Sequence, residues 1–221
     1  MDGRTIDLRD SQGNVFKAYV SQPGGGRGPG VVFGLDIHGL RPLYHGIADR
    51  FAGHGCLAVV PDYFWDVERG TDGSYRTTHR FPTCIEVIRS ALAAARAMPA
   101  CNGRIAVIGY CLGGNLALLG VSRLGADAAV SYYGTRIHTF LDDVHNIAKP
   151  LILHIAEHDH TYPDEQRDRI LAAVRTNANI SAHVYAAPHG FASSTYQADA
   201  AQLANARTFA LLDTLKDEPG A

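Results

Sequence analysis

Two short alternating runs open the chain, "TIDLR" and "VFKAYV", separated by Ser11-Gln12-Gly13-Asn14. Alternation with a period of two gathers the apolar side chains on one face of a strand, and a Gly-Asn turn between two such runs predicts a β-hairpin. Residues 23–30, "PGGGRGPG", predict a loop that is too short to separate domains. Beyond it six apolar runs recur, "GVVFGLDI", "CLAVVPDY", "RIAVIGY", "AAVSYYG", "PLILHIA" and "ISAHVYAA", with helical spacing in the stretches between them. Strands that are apolar throughout are buried on both faces, so the pattern predicts a mostly parallel central sheet with helices on both faces. Phe81, Ile85, Ile88 and Leu92, at steps of four, three and four, mark one stripe of the clearest helix, with Glu86 and Arg89 turned elsewhere. A last covering helix is expected between Tyr196 and Leu215, carrying Leu203, Ala206, Ala210 and Leu211. No segment repeats. The fold class is therefore α/β, a single domain over residues 1–221 with an N-terminal antiparallel hairpin.

Composition narrows the function. A chain of 221 residues suits one domain with a sizeable core. A net charge of −2 with 19% charged residues offers neither the basic footprint of a nucleic-acid binder nor a polybasic membrane anchor. No apolar run approaches the ~20 residues of a membrane span, and the polar start "MDGRTIDLRDSQGN" has no signal-like core, so a cytoplasmic location is expected. Cys56, Cys84, Cys101 and Cys111 lack C-x-x-C spacing and read as four free thiols. "HIAEHDH" offers His154, His158 and His160, but His154 falls within an apolar run and no second ligand cluster accompanies it; no metal site is expected.

One cysteine is set apart by its surroundings. In "VIGYCLGGNLALLG" an apolar strand ends at Gly109-Tyr110, Cys111 follows, and Gly113 and Gly114 open an apolar helical stretch. The pattern G-x-C-x-G is that of a nucleophile elbow, the strained strand-to-helix turn that lifts a serine above an α/β-hydrolase sheet, with cysteine in the serine's seat. Ligands of an open parallel sheet bind beyond the carboxyl ends of its strands, which points to Asp36, Cys111, Asp159 and His189, each just after an apolar run. The last three follow the chain order nucleophile, acid, histidine. A thiol with its ordinary pKa of ~8.5 is mostly protonated at neutral pH, and an imidazole beside a helix N-terminus raises the thiolate fraction. His189 would take the thiol proton and later activate water, Asp159 would hold the imidazole's tautomer, and the backbone N–H groups of Leu112 and Ile37 would form the oxyanion hole. Each residue also has a blander reading. Cys111 could be core packing, Asp159 a cap before "TYPDEQ", His189 a loop histidine, and Asp36 a cap of its own turn.

Taken together, the hairpin start, "GLDIHGL", "AVVPDYF", "GYCLGGNLAL", "SYYG", "HDHTYP" and "HGFA" resemble the dienelactone hydrolase family through nearly the whole chain. The resemblance implies an α/β-hydrolase fold and a cofactor-free hydrolase of a small lactone or ester. It further implies action through a Cys111, His189, Asp159 triad and a thioester acyl-enzyme. Two positions depart from the family. Asp36 stands where the family carries a glutamate that helps deprotonate the thiol, and Ser193 stands where it carries an arginine that binds the substrate carboxylate. Arg76, Arg80, Tyr133 and Ser193 are the substrate-binding candidates, with Arg41 as a further cation. Tyr63, Phe64 and Trp65 are candidates, with Tyr133, for an aromatic wall. The partner implied is a small-molecule substrate, with no nucleic acid or membrane, and the protein is expected as a monomer or weak homodimer. Two alternatives stay open: a general carboxylesterase or thioesterase acting on neutral substrates, and a ligand-binding homologue without turnover.

Overall fold

The computed structural model describes residues 3–77, 80–193 and 198–216, with no account of the Ala198 side chain. The hairpin forms as the alternation requires: β1 (Arg4–Arg9) and β2 (Val15–Ser21) pair antiparallel, Arg4 opposite Val20 and Arg9 opposite Val15. Asp10 fixes the turn, its Oδ1 accepting from the backbone N–H groups of Gln12 at 2.9 Å and Asn14 at 2.8 Å. The six apolar runs become β3 (Gly28–Gly34), β4 (Leu57–Pro61), β5 (Cys101–Tyr110), β6 (Ala128–Tyr132), β7 (Leu151–His158) and β8 (Ile180–Pro188). All join one eight-stranded sheet in the order β1-β2-β4-β3-β5-β6-β7-β8. The hairpin attaches by the antiparallel β2–β4 pair, and every pairing from β4 to β8 is parallel.

Helices cover both faces. These are α1 (Pro42–Gly53), α2 (Phe81–Ala97), α3 (Leu112–Arg123), the short α4 (Leu141–Val144), α5 (Asp164–Val174) and α6 (Ala198–Asp213). Successive strand residues point to opposite faces. On β3, Phe33 meets Phe51 of α1 edge to face, while Gly34 backs onto Gly113 of α3. Phe51 in turn touches Phe209 of α6, so α1 and α6 share one face and α2 and α3 share the other. Among the described residues no helix is long and apolar enough to cross a membrane.

Three local expectations need correction. The "PGGGRGPG" segment is not loop to its end, because β3 already begins at Gly28, paired with Cys101. A Cβ at Gly28 would lie 1.8 Å from the Gly55 carbonyl oxygen, so glycine belongs to the strand itself there. On α2 the buried face is Cys84, Val87, Ile88, Ala91, Leu92 and Ala95, with Phe81 and Ile85 only half-buried. Small side chains let this helix lie against its neighbours, and a stripe drawn through the large aliphatics alone is rotated from the true one. The face of α6 is also displaced. Ala201, Ala204, Thr208 and Leu212 are buried, whereas Leu203, Ala206 and Ala210 are exposed and Leu211 is half-buried. Residues 196–197, where that helix was expected to start, lie outside the described residues.

Polar bonding explains the α6 phase. Thr208 Oγ1 lies 2.6 Å from Tyr132 Oη and 3.1 Å from His154 Nε2, and Tyr132 Oη donates to Asn205 Oδ1 at 3.0 Å. His154 Nδ1 meets Tyr185 Oη at 2.8 Å, so both ring nitrogens of this fully buried histidine are occupied. Burial holds the His154 imidazole well below the ordinary histidine range, which keeps it neutral in the core.

Candidate active site

The parallel strands end on one side of the sheet, and the sharpest feature there is the single residue between β5 and α3. Cys111 has φ 57° and ψ −117°, a conformation that L-residues rarely adopt. Such a residue costs ~1–3 kcal/mol and persists only where its surroundings fix it. Here the Cys111 N–H donates to the Tyr132 carbonyl at 3.0 Å, and its own carbonyl accepts from Gly114 N–H at 3.0 Å. Glycines make the bend possible. A Cβ on Gly109 would sit 1.8 Å from the Gly113 oxygen, and one on Gly113 would sit 2.1 Å from the Gly34 carbonyl. The result is a half-buried thiol at the mouth of the sheet, whereas Cys56, Cys84 and Cys101 are buried. Burial pushes the Cys56 and Cys84 thiols up to about 12, out of reach of chemistry near neutral pH.

His189, just past β8, and Asp159, just past β7, form a hydrogen-bonded pair, His189 Nδ1 lying 2.7 Å from Asp159 Oδ2, and His189 lines the same pocket as Cys111. Asp159 Oδ1 accepts from Thr161 N–H at 2.9 Å and Thr161 Oγ1 at 2.6 Å, which fixes the carboxylate in place. Burial works against ionisation of both groups. For Asp159 the bonds from His189 and Thr161 outweigh burial and hold the carboxyl below its ordinary range. For His189 burial is outweighed by the bond to Asp159 and then the bond to Cys111, which raise the imidazole to about 9. The ring therefore favours its protonated form beside the Asp159 carboxylate.

Asp36 lies in the wall of the same pocket, but both of its carboxylate oxygens are engaged. Oδ1 accepts from His38 N–H at 2.9 Å, and Oδ2 is 2.5 Å from a guanidinium nitrogen of Arg41. Its own N–H donates to Tyr44 Oη at 2.9 Å. These bonds fix the turn that carries Ile37, another wall residue. Leu112 is the first residue of α3, where helix N–H groups have no intrahelical acceptor. Tyr133 adds a second positive φ, 39°, with its N–H donated to the His154 carbonyl at 2.7 Å. Its ring stands edge-on to His189 at 4.9 Å, and its hydroxyl is 2.6 Å from Ser193 Oγ.

Together these groups enclose about 220 Å³ with mostly apolar walls. Of the residues singled out from sequence, the pocket gathers Asp36, Ile37, Cys111, Tyr133, His189 and Ser193. It does not gather Arg76 or Arg80. Arg76 is exposed outside it, and Arg80 is paired with Asp66 in a separate cleft that also contains Trp65 and Glu86. Tyr63 and Phe64 are core residues, Tyr63 donating to the Leu35 carbonyl, and so form no wall. Three wall residues escaped the sequence reading, namely His38, Thr161 and Gly190, and a fourth, His160, was weighed there only as a metal ligand. Each lies within two residues of Asp36, Asp159 or His189, and that adjacency was the available signal. Among the described residues no group of three or more His, Cys, Asp or Glu side chains is arranged to hold a metal.

A sheet in this order, an elbow after the fifth strand, and an acid and a histidine after the seventh and eighth define the α/β-hydrolase class. Comparison with known proteins narrows the class. The model of the dienelactone hydrolase family matches residues 16–216. A protein of Azospirillum brasilense, provisionally named a carboxymethylenebutenolidase, is 38% identical over 93% of this chain and 96% of its own. Carboxymethylenebutenolidase 1 of Cupriavidus pinatubonensis is 31% identical over 96% and 97%. Among solved structures, a dienelactone hydrolase-like promiscuous phosphotriesterase from metagenomic libraries superposes with a TM-score of 0.84 at 21% identity, covering 98% of this chain and 99% of that one. The chain belongs to the dienelactone hydrolase family, hydrolases that act on esters or lactones.

Proposed function

We propose that the protein hydrolyses a small lactone or ester through a thioester formed on Cys111, with His189 as proton carrier and Asp159 as its orienting carboxylate. The observation that carries this reading is the His189–Asp159 pair, bonded at 2.7 Å, with the histidine ring opening into the pocket that Cys111 also lines. A histidine raised to about 9 keeps the proton it accepts from the thiol at neutral pH. The thiolate then attacks the substrate carbonyl, and the negative oxygen of the tetrahedral intermediate is received by the N–H groups of Ile37 and Leu112. Collapse breaks the bond to the alkoxide, which takes the proton from His189 and leaves an acyl-thioester. The ring, now neutral, removes a proton from water as the water attacks the thioester. Cys111 leaves as thiolate, and the products are one carboxylic acid and one alcohol, or a single hydroxy acid from a lactone. An enol-lactone releases an enol that rearranges to the keto acid.

Asp36 serves this chemistry as a positioning residue. Its hydrogen bonds to His38, Arg41 and Tyr44 set the backbone on which the Ile37 N–H is presented. The reading is tested by steady-state kinetics on p-nitrophenyl acetate. Cys111→Ala is expected to lower kcat/KM by about a thousandfold or more while the thermal midpoint stays within a few degrees of the native protein. Hydrolysis retained at the native rate would remove Cys111 from the mechanism.

A further inference from the structure

The charges around the pocket bear on the substrate. All 20 lysines and arginines lie among the described residues, and none of them lines the cavity that holds Cys111. Arg41 is next to that wall in sequence, but it is paired with Asp36 at 2.5 Å. Arg80 is paired with Asp66 in another cleft, and Arg76, exposed and one residue from the Tyr75 that bonds to the Ile37 carbonyl, is not among the residues lining the pocket. Ser193 does not supply a charge, and its hydroxyl is bonded to Tyr133 at 2.6 Å. Asp36 is thus matched by Arg41 and Asp159 by His189, while the other basic side chains of the wall are the histidines His38 and His160.

A carboxylate brought into this space would lose its hydration against mostly apolar walls and would meet no lysine or arginine among the lining residues in exchange. Burying an unpaired charge is costly, and charge-assisted hydrogen bonds are the usual compensation. We infer that the pocket selects an uncharged ester or lactone over one carrying a carboxylate beside the reacting carbonyl, an inference that rests on Cys111 being the nucleophile.

A matched pair tests this directly: an enol-lactone bearing a carboxylate, and its methyl ester, with ring opening followed by absorbance. Measured at pH 8, above the ordinary histidine range of ~6.5, the assay removes charge from histidines with ordinary ionisation. Each kcat/KM is divided by the hydroxide-catalysed rate of the same compound, so that intrinsic reactivity cancels. The expected result is a preference of at least about tenfold for the methyl ester, the scale of one missing charge-assisted contact. A second arm uses Ser193→Arg, which is expected to raise kcat/KM for the acid about tenfold with no matching gain for the methyl ester. An acid turned over as well as its ester by the native protein would overturn the inference, and so would an equal gain for both compounds in Ser193→Arg. Failure of the underlying mechanism reads differently. Undiminished ring opening by Cys111→Ala would sink the nucleophile, whatever the ratio between the two lactones.

Discussion

Cys111 and Asp36 show how much of the site depends on single side chains. The cysteine is held by the backbone at φ 57°, in a pocket that the His189 imidazole also lines, and the proposed reactivity rests on that placement. Asp36 is different, since its oxygens face His38 and Arg41 and its effect passes through the loop they fix. Asn can still accept from the His38 N–H, whereas Ala cannot. Asp36→Ala is therefore expected to lower kcat by roughly ten- to a hundredfold through misplacement of Ile37, with Asp36→Asn recovering most of that loss. Steady-state kinetics on both variants, with KM followed separately, checks this. Equal losses in Asn and Ala would show that the charge itself does the work.

At the scale of elements, the elbow depends on how closely β3, β5 and α3 approach. Gly113→Ala would drive a methyl group into the Gly34 backbone, which is 2.1 Å from the ideal Cβ position. Backbone on both sides cannot yield as a flexible side chain would, so denaturant unfolding is expected to show a loss of about 3 kcal/mol or more. Stability within ~0.5 kcal/mol of native would mean that the crossing is looser than drawn. The strands were legible from sequence because residues buried on both faces, such as Val31, Val32 and Phe33, leave unbroken apolar runs. The order Cys111, Asp159, His189 was legible because each residue follows such a run. Helix faces were harder to read. The contact face of α6 is set by Ala201, Ala204 and Thr208, and a hydroxyl bonded to His154 and Tyr132 leaves no hydrophobic signature. The Asp36–Arg41 pair forms across a turn, and no periodicity foretells that Arg41 is taken or that Arg80 pairs with Asp66 in another cleft.

For the whole molecule, the His189–Asp159 pair links folding to pH. His189 is raised from 6.5 to about 9, so its contribution to stability is full below pH 6.5 and fades as the pH rises through 9. Asp159 is lowered from 3.8, so its contribution is present above that value and is lost as the pH falls through its depressed pKa. Thermal melts of the native protein and of His189→Gln should accordingly differ most near pH 5 to 6, converging as the pH approaches 10. A difference that grows as the pH rises from 6 to 10 would contradict the direction of the His189 shift.

The central claim is that a substrate acyl group passes through the sulfur of one cysteine. Rapid acid quenching during turnover of a slowly deacylating aryl ester, followed by intact and peptide mass spectrometry, tests it most directly. The account predicts one added acyl mass per chain, confined to the peptide containing Cys111 and absent from Cys111→Ala. An acyl group found on another residue would contradict it, as would steady turnover by a chain whose Cys111 is never acylated under conditions where hydrolysis of the thioester limits the rate.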